Sequence, residues 1–138
     1  MNDLFENLIF KKEDIIQFPD GIPGFEHHKQ FVLVEVPEHE PFQWLVCVTD
    51  INLRFAVINP MIIRPDYNPP VSKTQLESLE FSNPEEVMIL VIITLHKNLA
   101  ESTANFMGPI FLNRKKNRGK QIVLDSDTYS VQEPVIRS

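Results

Sequence analysis

Val87-Met88-Ile89-Leu90-Val91-Ile92-Ile93-Thr94-Leu95 is the longest apolar run in the chain, and its reading decides the fold. A membrane-spanning helix needs roughly 20 apolar residues, about twice this length. The run is rich in Val and Ile, whose branched Cβ favours extended backbone, so a core strand is expected over Glu86 to Leu95. Shorter runs of the same kind recur outward from it, between turn signals. Before it they are Leu8 to Phe18, Gln30 to Val36, Phe42 to Thr49 and Arg54 to Ile58; after it, Ala104 to Asn113, Gln121 to Leu124 and Tyr129 to Val135. Eleven prolines against four glycines argue against a helical bundle. The fold class these patterns give is all-β.

With 138 residues and 43% hydrophobic content, the chain can bury a core without disulfides or metals, so one domain over 1–138 is expected. One short helix is predicted over about residues 73–81. Ser72 and Gln75 have capping-box spacing, Leu76 and Leu79 share a face, and Asn83-Pro84 is a stop signal. Asp20-Gly21-Ile22-Pro23-Gly24 supplies the residues of tight turns. Asn113 to Lys120 is polar and basic, contains Gly119, and reads as a hairpin loop. Pro65 to Val71 is proline-rich but too short to separate domains.

Net charge is −6, and its distribution is uneven. Residues 1–50 hold ten Asp or Glu against Lys11, Lys12 and Lys29, whereas Arg114, Lys115, Lys116, Arg118 and Lys120 sit together near the end. An acidic front and a basic patch are suited to steering charged partners, although charges on a small domain more often serve plain solvation. The acidic N-terminus lacks the basic residues of a secretory signal, and the single cysteine, Cys47, lies in an apolar run. A reducing cytosol is the expected compartment.

Catalytic signatures are missing: there is no Walker loop, dinucleotide fingerprint, Cys-x-x-Cys or His-Glu-x-x-His. His27, His28 and His39 lie near Glu26, Glu35, Glu38 and Glu40, yet adjacent residues of an extended segment face opposite ways, so no metal centre is expected. Ser102 and Thr103 stand beside Glu101 without a nominated base, and Asp125 with Asp127 suits an ordinary polar loop. Gly21-Ile22-Pro23-Gly24 differs from a nucleic-acid-clamping Gly-x-x-Gly loop, because Asp20 and Glu26 repel phosphate. The basic cluster has no interleaved aromatics. These readings predict no enzyme, no cofactor, and neither direct nucleic-acid nor membrane binding.

Two segments are unusual. Phe18-Pro19-Asp20-Gly21-Ile22-Pro23-Gly24-Phe25-Glu26 places apolar residues at a turn tip, so it either folds over the core as a plug or meets a partner; the architectural plug, with Phe18 and Phe25 as anchors, is the expectation. Gly21 and Gly24 would supply backbone shapes closed to other residues. Thr103-Ala104-Asn105-Phe106-Met107-Gly108-Pro109-Ile110-Phe111-Leu112-Asn113 interrupts a strand pattern with Gly108-Pro109, which implies a bulge or an edge position; a place at or near a sheet edge, where a partner can add, is the expectation. Asn105, Phe106, Gly108 and Pro109 are therefore candidate partner-binding residues.

Taken together, these segments resemble the FliW family of flagellar assembly factors. Phe18 to Glu26 is similar to the family's Phe-Pro-x-Gly-Ile-Pro-Gly-Phe-Glu, with Asp20 in the variable slot. Asn59-Pro60 followed by Pro65-Asp66-Tyr67 resembles its middle element, and Thr103 to Asn113 its late element, followed by Gly119-Lys120-Gln121 and Tyr129. Departures are Asn59 for Asp, Phe106 and Gly108 for Leu and Ala, and Trp44 to Cys47 for Leu-Gln-Ser. The resemblance covers roughly residues 8–136 and adds Pro60 and Tyr67 to the architectural set of Phe18, Gly21, Pro23, Gly24 and Phe25.

The resemblance implies a compact antiparallel β-barrel-like protein with two partners, flagellin and the RNA-binding translational repressor CsrA. FliW bound to CsrA would relieve repression of flagellin synthesis, and flagellin would capture FliW to restore it. The acids Glu35, Glu38 and Glu40 would then disfavour RNA beside the repressor by like-charge repulsion. Two rival readings are a flavin-type split-barrel enzyme, which would purify yellow, and an RNA-binding barrel, whose affinity would fall steeply with salt.

Overall fold

The computed structural model describes residues 5–136; residues 1–4, part of the stretch read above for an export signal, and 137–138 lie outside the described residues. Among the described residues nine strands form one sheet: β1 (Ile16–Gln17), β2 (Gln30–Glu35), β3 (Gln43–Cys47), β4 (Asp50–Ile58), β5 (Val87–Thr94), β6 (Thr103–Ala104), β7 (Ile110–Asn113), β8 (Arg118–Gln121) and β9 (Glu133–Pro134). Their order is β4-β3-β2-β1-β8-β7-β5-β6-β9, and a further β4–β5 pairing closes seven of them into a ring. The closure is uneven. The β4–β5 seam holds three register pairs, Ala56 with Ile93, Val57 with Ile92 and Ile58 with Val91. The β1–β8 seam holds one parallel pair, Gln17 with Arg118, so the expected all-antiparallel barrel carries a single parallel contact.

This architecture accounts for the long apolar run. Leu90 and Ile92 of β5 join the barrel interior with Phe18, Phe31, Leu45 and Ile110. Val91 and Ile93 pack on the outer side with Tyr67, Ala104 and Phe106. A strand covered on both faces has no polar alternation to show. β3 divides in the same way, with Leu45 and Cys47 inside and Val46 and Trp44 outside near Phe5. A third outer cluster joins Leu79, Phe111, Ile122 and Leu124. Each large apolar side chain fully buried in these layers contributes about 1.5–3 kcal/mol.

The α-helix is not where the sequence pattern suggests. It is α1 (Pro60–Ile63), with Pro60 in its first turn and Asn59 Oδ1 accepting a hydrogen bond from Met61 N at 3.0 Å. Over 73–81 the reciprocal cap does form: Gln75 N donates to Ser72 Oγ at 3.1 Å, and Ser72 N donates to Gln75 Oε1 at 2.8 Å. The chain then continues only as a turn and the 3₁₀ segment Glu77–Leu79, ended by Glu80 at φ 55°. Helix nucleation costs more than so short a segment returns, and packing of Leu76 and Leu79 in the Phe111 cluster decides the shape.

The Ala104 to Asn113 segment divides into β6 and β7, and it is not an edge. β6 lies between β5 and β9, and β7 between β5 and β8. Neighbours claim the backbone of the intervening residues 105–109. Asn105 N donates to Ile92 O at 2.9 Å and Phe106 N to Ser130 O at 2.9 Å. Phe106 O accepts from Tyr67 Oη at 2.7 Å, Met107 O from Leu124 N at 2.7 Å, and Pro109 O from Ile122 N at 3.0 Å. Residues 121–124 thus run beside this bulge, and the hairpin strand is β8, inside the expected loop. Gly119 sits in β8 because an ideal Cβ there would stand 2.4 Å from the Phe18 ring. Only 114–117 remain as the turn, where Asn113 Oδ1 accepts from Lys115 N and Lys116 N.

Candidate partner-binding surface

The Phe18 to Glu26 turn is half plug and half tip. Phe18 and Ile22 are buried in the barrel interior, and Phe18 meets Phe31 edge-on at 5.3 Å. Gly21 has φ +67°, and a Cβ there would lie 2.6 Å from the Glu26 backbone. Gly24 has φ +90° but open space around it. Pro23 is exposed, and Phe25, expected as a second anchor, keeps 40% of its surface while touching Phe55 edge-on at 5.4 Å. Gly24 N donates to Glu26 Oε2 at 3.0 Å. That bond, then the residue's own N–H, holds the Glu26 carboxyl below its ordinary range.

Pro60 and Tyr67 are buried, as an architectural role requires. The Tyr67 ring meets Phe106 and Tyr129 edge-on, each at 4.7 Å. Burial, and then the neighbouring Tyr129, push the Tyr67 phenol well above its ordinary value. It therefore stays a donor to Phe106 O. Phe106, Gly108 and Pro109 are buried, and Asn105 is half-buried with Oδ1 accepting from Met107 N at 3.0 Å. Of the candidate partner-binding residues, these four are brought together inside the fold and present little side-chain surface.

The acids lie differently. Glu35, Glu38 and Glu40 are all exposed. Glu35 Oε1 accepts from Gln43 Nε2 at 2.9 Å, while Glu38 and Glu40 take part in no ion pair among the described residues. Glu38 and Glu40 edge a hollow of about 350 Å³ lined also by His39, Phe42, Trp44, Leu95 and Leu99. Leu95 and Leu99 keep 44% and 42% of their surface. Trp44 Nε1 donates to His39 Nδ1 at 3.0 Å, so the ring is held and its only polar atom satisfied. The loop carrying the leucines is pinned as well. His96 N donates to Ser102 Oγ at 3.0 Å, Ser102 N to Leu99 O at 3.0 Å, and Asn98 Oδ1 accepts from Ala100 N at 3.1 Å.

A larger gap of about 600 Å³ lies under the 68–84 segment, between Val71, Leu76, Phe81, Val87 and Phe111. The basic cluster is partly spent within the fold: Arg118 Nε meets Glu80 Oε2 at 3.4 Å, and Lys120 Nζ donates to Gln75 O at 3.0 Å. Arg114, Lys115 and Lys116 stay exposed at the hairpin tip. Of the histidines, His28 Nδ1 lies 3.6 Å from Cys47 Sγ and His39 serves Trp44. No group of three or more His, Cys, Asp or Glu among the described residues is placed to hold a metal. No helix among them is long and apolar enough to cross a membrane.

The model of the family described as FliW protein matches residues 1–135. The chain belongs to the FliW family. It is similar to the flagellar assembly factor FliW of Alkaliphilus metalliredigens (strain QYMF), 37% identical over 133 residues, covering 96% of this chain and 82% of that one. The flagellar assembly factor FliW of Bacillus subtilis (strain 168) is 38% identical over 125 residues, covering 91% and 87%. A crystal structure of the flagellar assembly factor FliW superposes with a TM-score of 0.89 at 32% identity, covering 95% of this chain and 92% of that one. The FliW fold therefore applies to nearly the whole chain.

Sequence reading missed the apolar half of the hollow. Leu95 reads as the end of a core strand and Trp44 as a strand interior. Leu99 was the available signal, an isolated large apolar residue within the polar stretch His96-Lys97-Asn98-Leu99-Ala100-Glu101.

Proposed function

We propose that this protein is a cytoplasmic, non-enzymatic flagellar assembly factor that binds flagellin and antagonises the translational repressor CsrA. Membership of the FliW family along residues 1–135 carries this reading, with relatives named flagellar assembly factors at 37% and 38% identity. The exposed acids Glu35, Glu38 and Glu40 support it from the physical side. An anionic surface steers a basic RNA-binding protein and raises the cost of bringing phosphate nearby. Flagellin would compete for the same molecule, so that its cytoplasmic level sets its own translation.

The test uses purified components. The full chain is mixed with CsrA and a flagellin leader RNA, and the RNA affinity of CsrA is measured before and after adding flagellin. The expected result is weakened RNA binding that flagellin restores. Unchanged RNA affinity at saturating protein, or no co-elution with either partner, would overturn the reading. A yellow preparation retaining flavin would favour the split-barrel enzyme instead.

A further inference from the structure

We infer that the hollow between the 38–44 turn and the 95–99 loop is a docking site for a basic peptide segment that presents a large apolar side chain. This inference deepens the proposed function by assigning its binding surface, and rests on that reading for the biological partner only. Three observations meet at this place. Leu95 and Leu99 expose 44% and 42% of their surface beside half-buried Phe42 and Trp44, so a concave apolar floor is open to solvent. The leucine loop is fixed by Ser102 and Asn98, and the indole by His39, so the floor is formed before anything binds.

Glu38 and Glu40 stand at the rim without an ion pair among the described residues, which gives the hollow a sign. An apolar floor with an anionic rim complements a Leu, Ile, Met or Phe flanked by Lys or Arg. It disfavours an acidic segment, or a nucleic acid, by like-charge repulsion. Lys97, the one lysine of the 95–99 loop, is exposed. Side chains at the floor would supply affinity, and rim charges would supply association rate and salt dependence.

The experiment is a selection that does not depend on knowing the partner. Random twelve-residue peptides displayed on phage are selected on the immobilised full chain and counter-selected on Leu95→Ser/Leu99→Ser, two exposed positions whose change leaves the core intact. The expected consensus is a large apolar residue flanked by Lys or Arg. Synthetic copies are then titrated while following fluorescence of Trp44, the single tryptophan. The expected results are a shift in Trp44 emission, about a tenfold loss of affinity in Leu99→Ser, and in Glu38→Gln/Glu40→Gln a smaller loss of affinity with most of the salt dependence gone. Thermal melts of all three variants verify folding. No enrichment over the serine variant, a consensus without basic residues, or binding that leaves Trp44 emission unchanged would overturn the inference. If such peptides bind as expected while CsrA and flagellin do not, the hollow stands and the proposed function falls.

Discussion

The Phe18 to Glu26 turn and the Asn105 to Asn113 segment both look anomalous in sequence, yet the fold treats them oppositely. The turn sends Phe18 and Ile22 inward and leaves Pro23, Gly24 and Phe25 at the surface. The later segment, interrupted by glycine and proline as an edge would be, is wrapped by β5, β8, β9 and the 121–130 stretch. A proline removes a ladder donor, but its carbonyl remains, and here Ile122 uses it. A strand interruption therefore signals a bulge, and only the neighbouring strands decide whether that bulge is outside or inside.

Truncating aromatic residues gives the largest expected contrast. Phe18→Ala and Phe106→Ala should each cost about 3–5 kcal/mol, as buried phenylalanines do. Phe25→Ala should cost about 1 kcal/mol, the scale of one aromatic contact. Denaturant unfolding of the three variants measures this directly. Equal losses at positions 18 and 25 would erase the division between plug and tip.

Within the turn, Gly21→Ala should be worse than Gly24→Ala. Both glycines have positive φ, which costs an alanine about 1–2 kcal/mol, but only at Gly21 does the added Cβ also meet backbone, that of Glu26. The expected losses are about 3 and about 1–2 kcal/mol, read as shifts of the denaturation midpoint. In the buried segment, Tyr67→Phe leaves Phe106 O without its donor and should cost about 1–3 kcal/mol while keeping the aromatic contacts. A neutral outcome there would mean that water replaces the phenol.

How much of this was legible follows from what each pattern measures. The run at 87–95 announces a strand because apolar β-branched residues leave few alternatives, and the Ser72 and Gln75 spacing, read as the start of a helix, does form its local hydrogen-bond pair although no α-helix follows. Propagation beyond that cap was not local. Leu76 and Leu79 are held by Phe111 and Ile122, residues far along the chain. Gly119 read as a loop glycine because nothing in its neighbourhood reveals that Phe18 lies against it. The same limit hid the hollow, where the acids came from one segment and the leucines from another.

The smallest effect concerns Glu26. Its folded pKa is lowered, so its stabilising contribution is present above the unfolded carboxylate value and lost as pH falls through the folded one. The carboxyl is exposed, so the effect on stability is slight. Nuclear magnetic resonance titration should place Glu26 below glutamates without such bonds. Any stability difference between the protein and Glu26→Gln should vanish on acidification. A Glu26 titrating with the other glutamates would show that the Gly24 contact does not persist in solution.

Hydrogen exchange of the full chain, alone and saturated with CsrA or flagellin, tests the central claim most directly. If the two anomalous segments build the fold while the acid-rimmed hollow binds, 105–113 should exchange slowly in the free protein and change little. New protection should fall on 38–44 and 95–99. Protection appearing instead over 103–113, or confined to 18–26, would contradict the account.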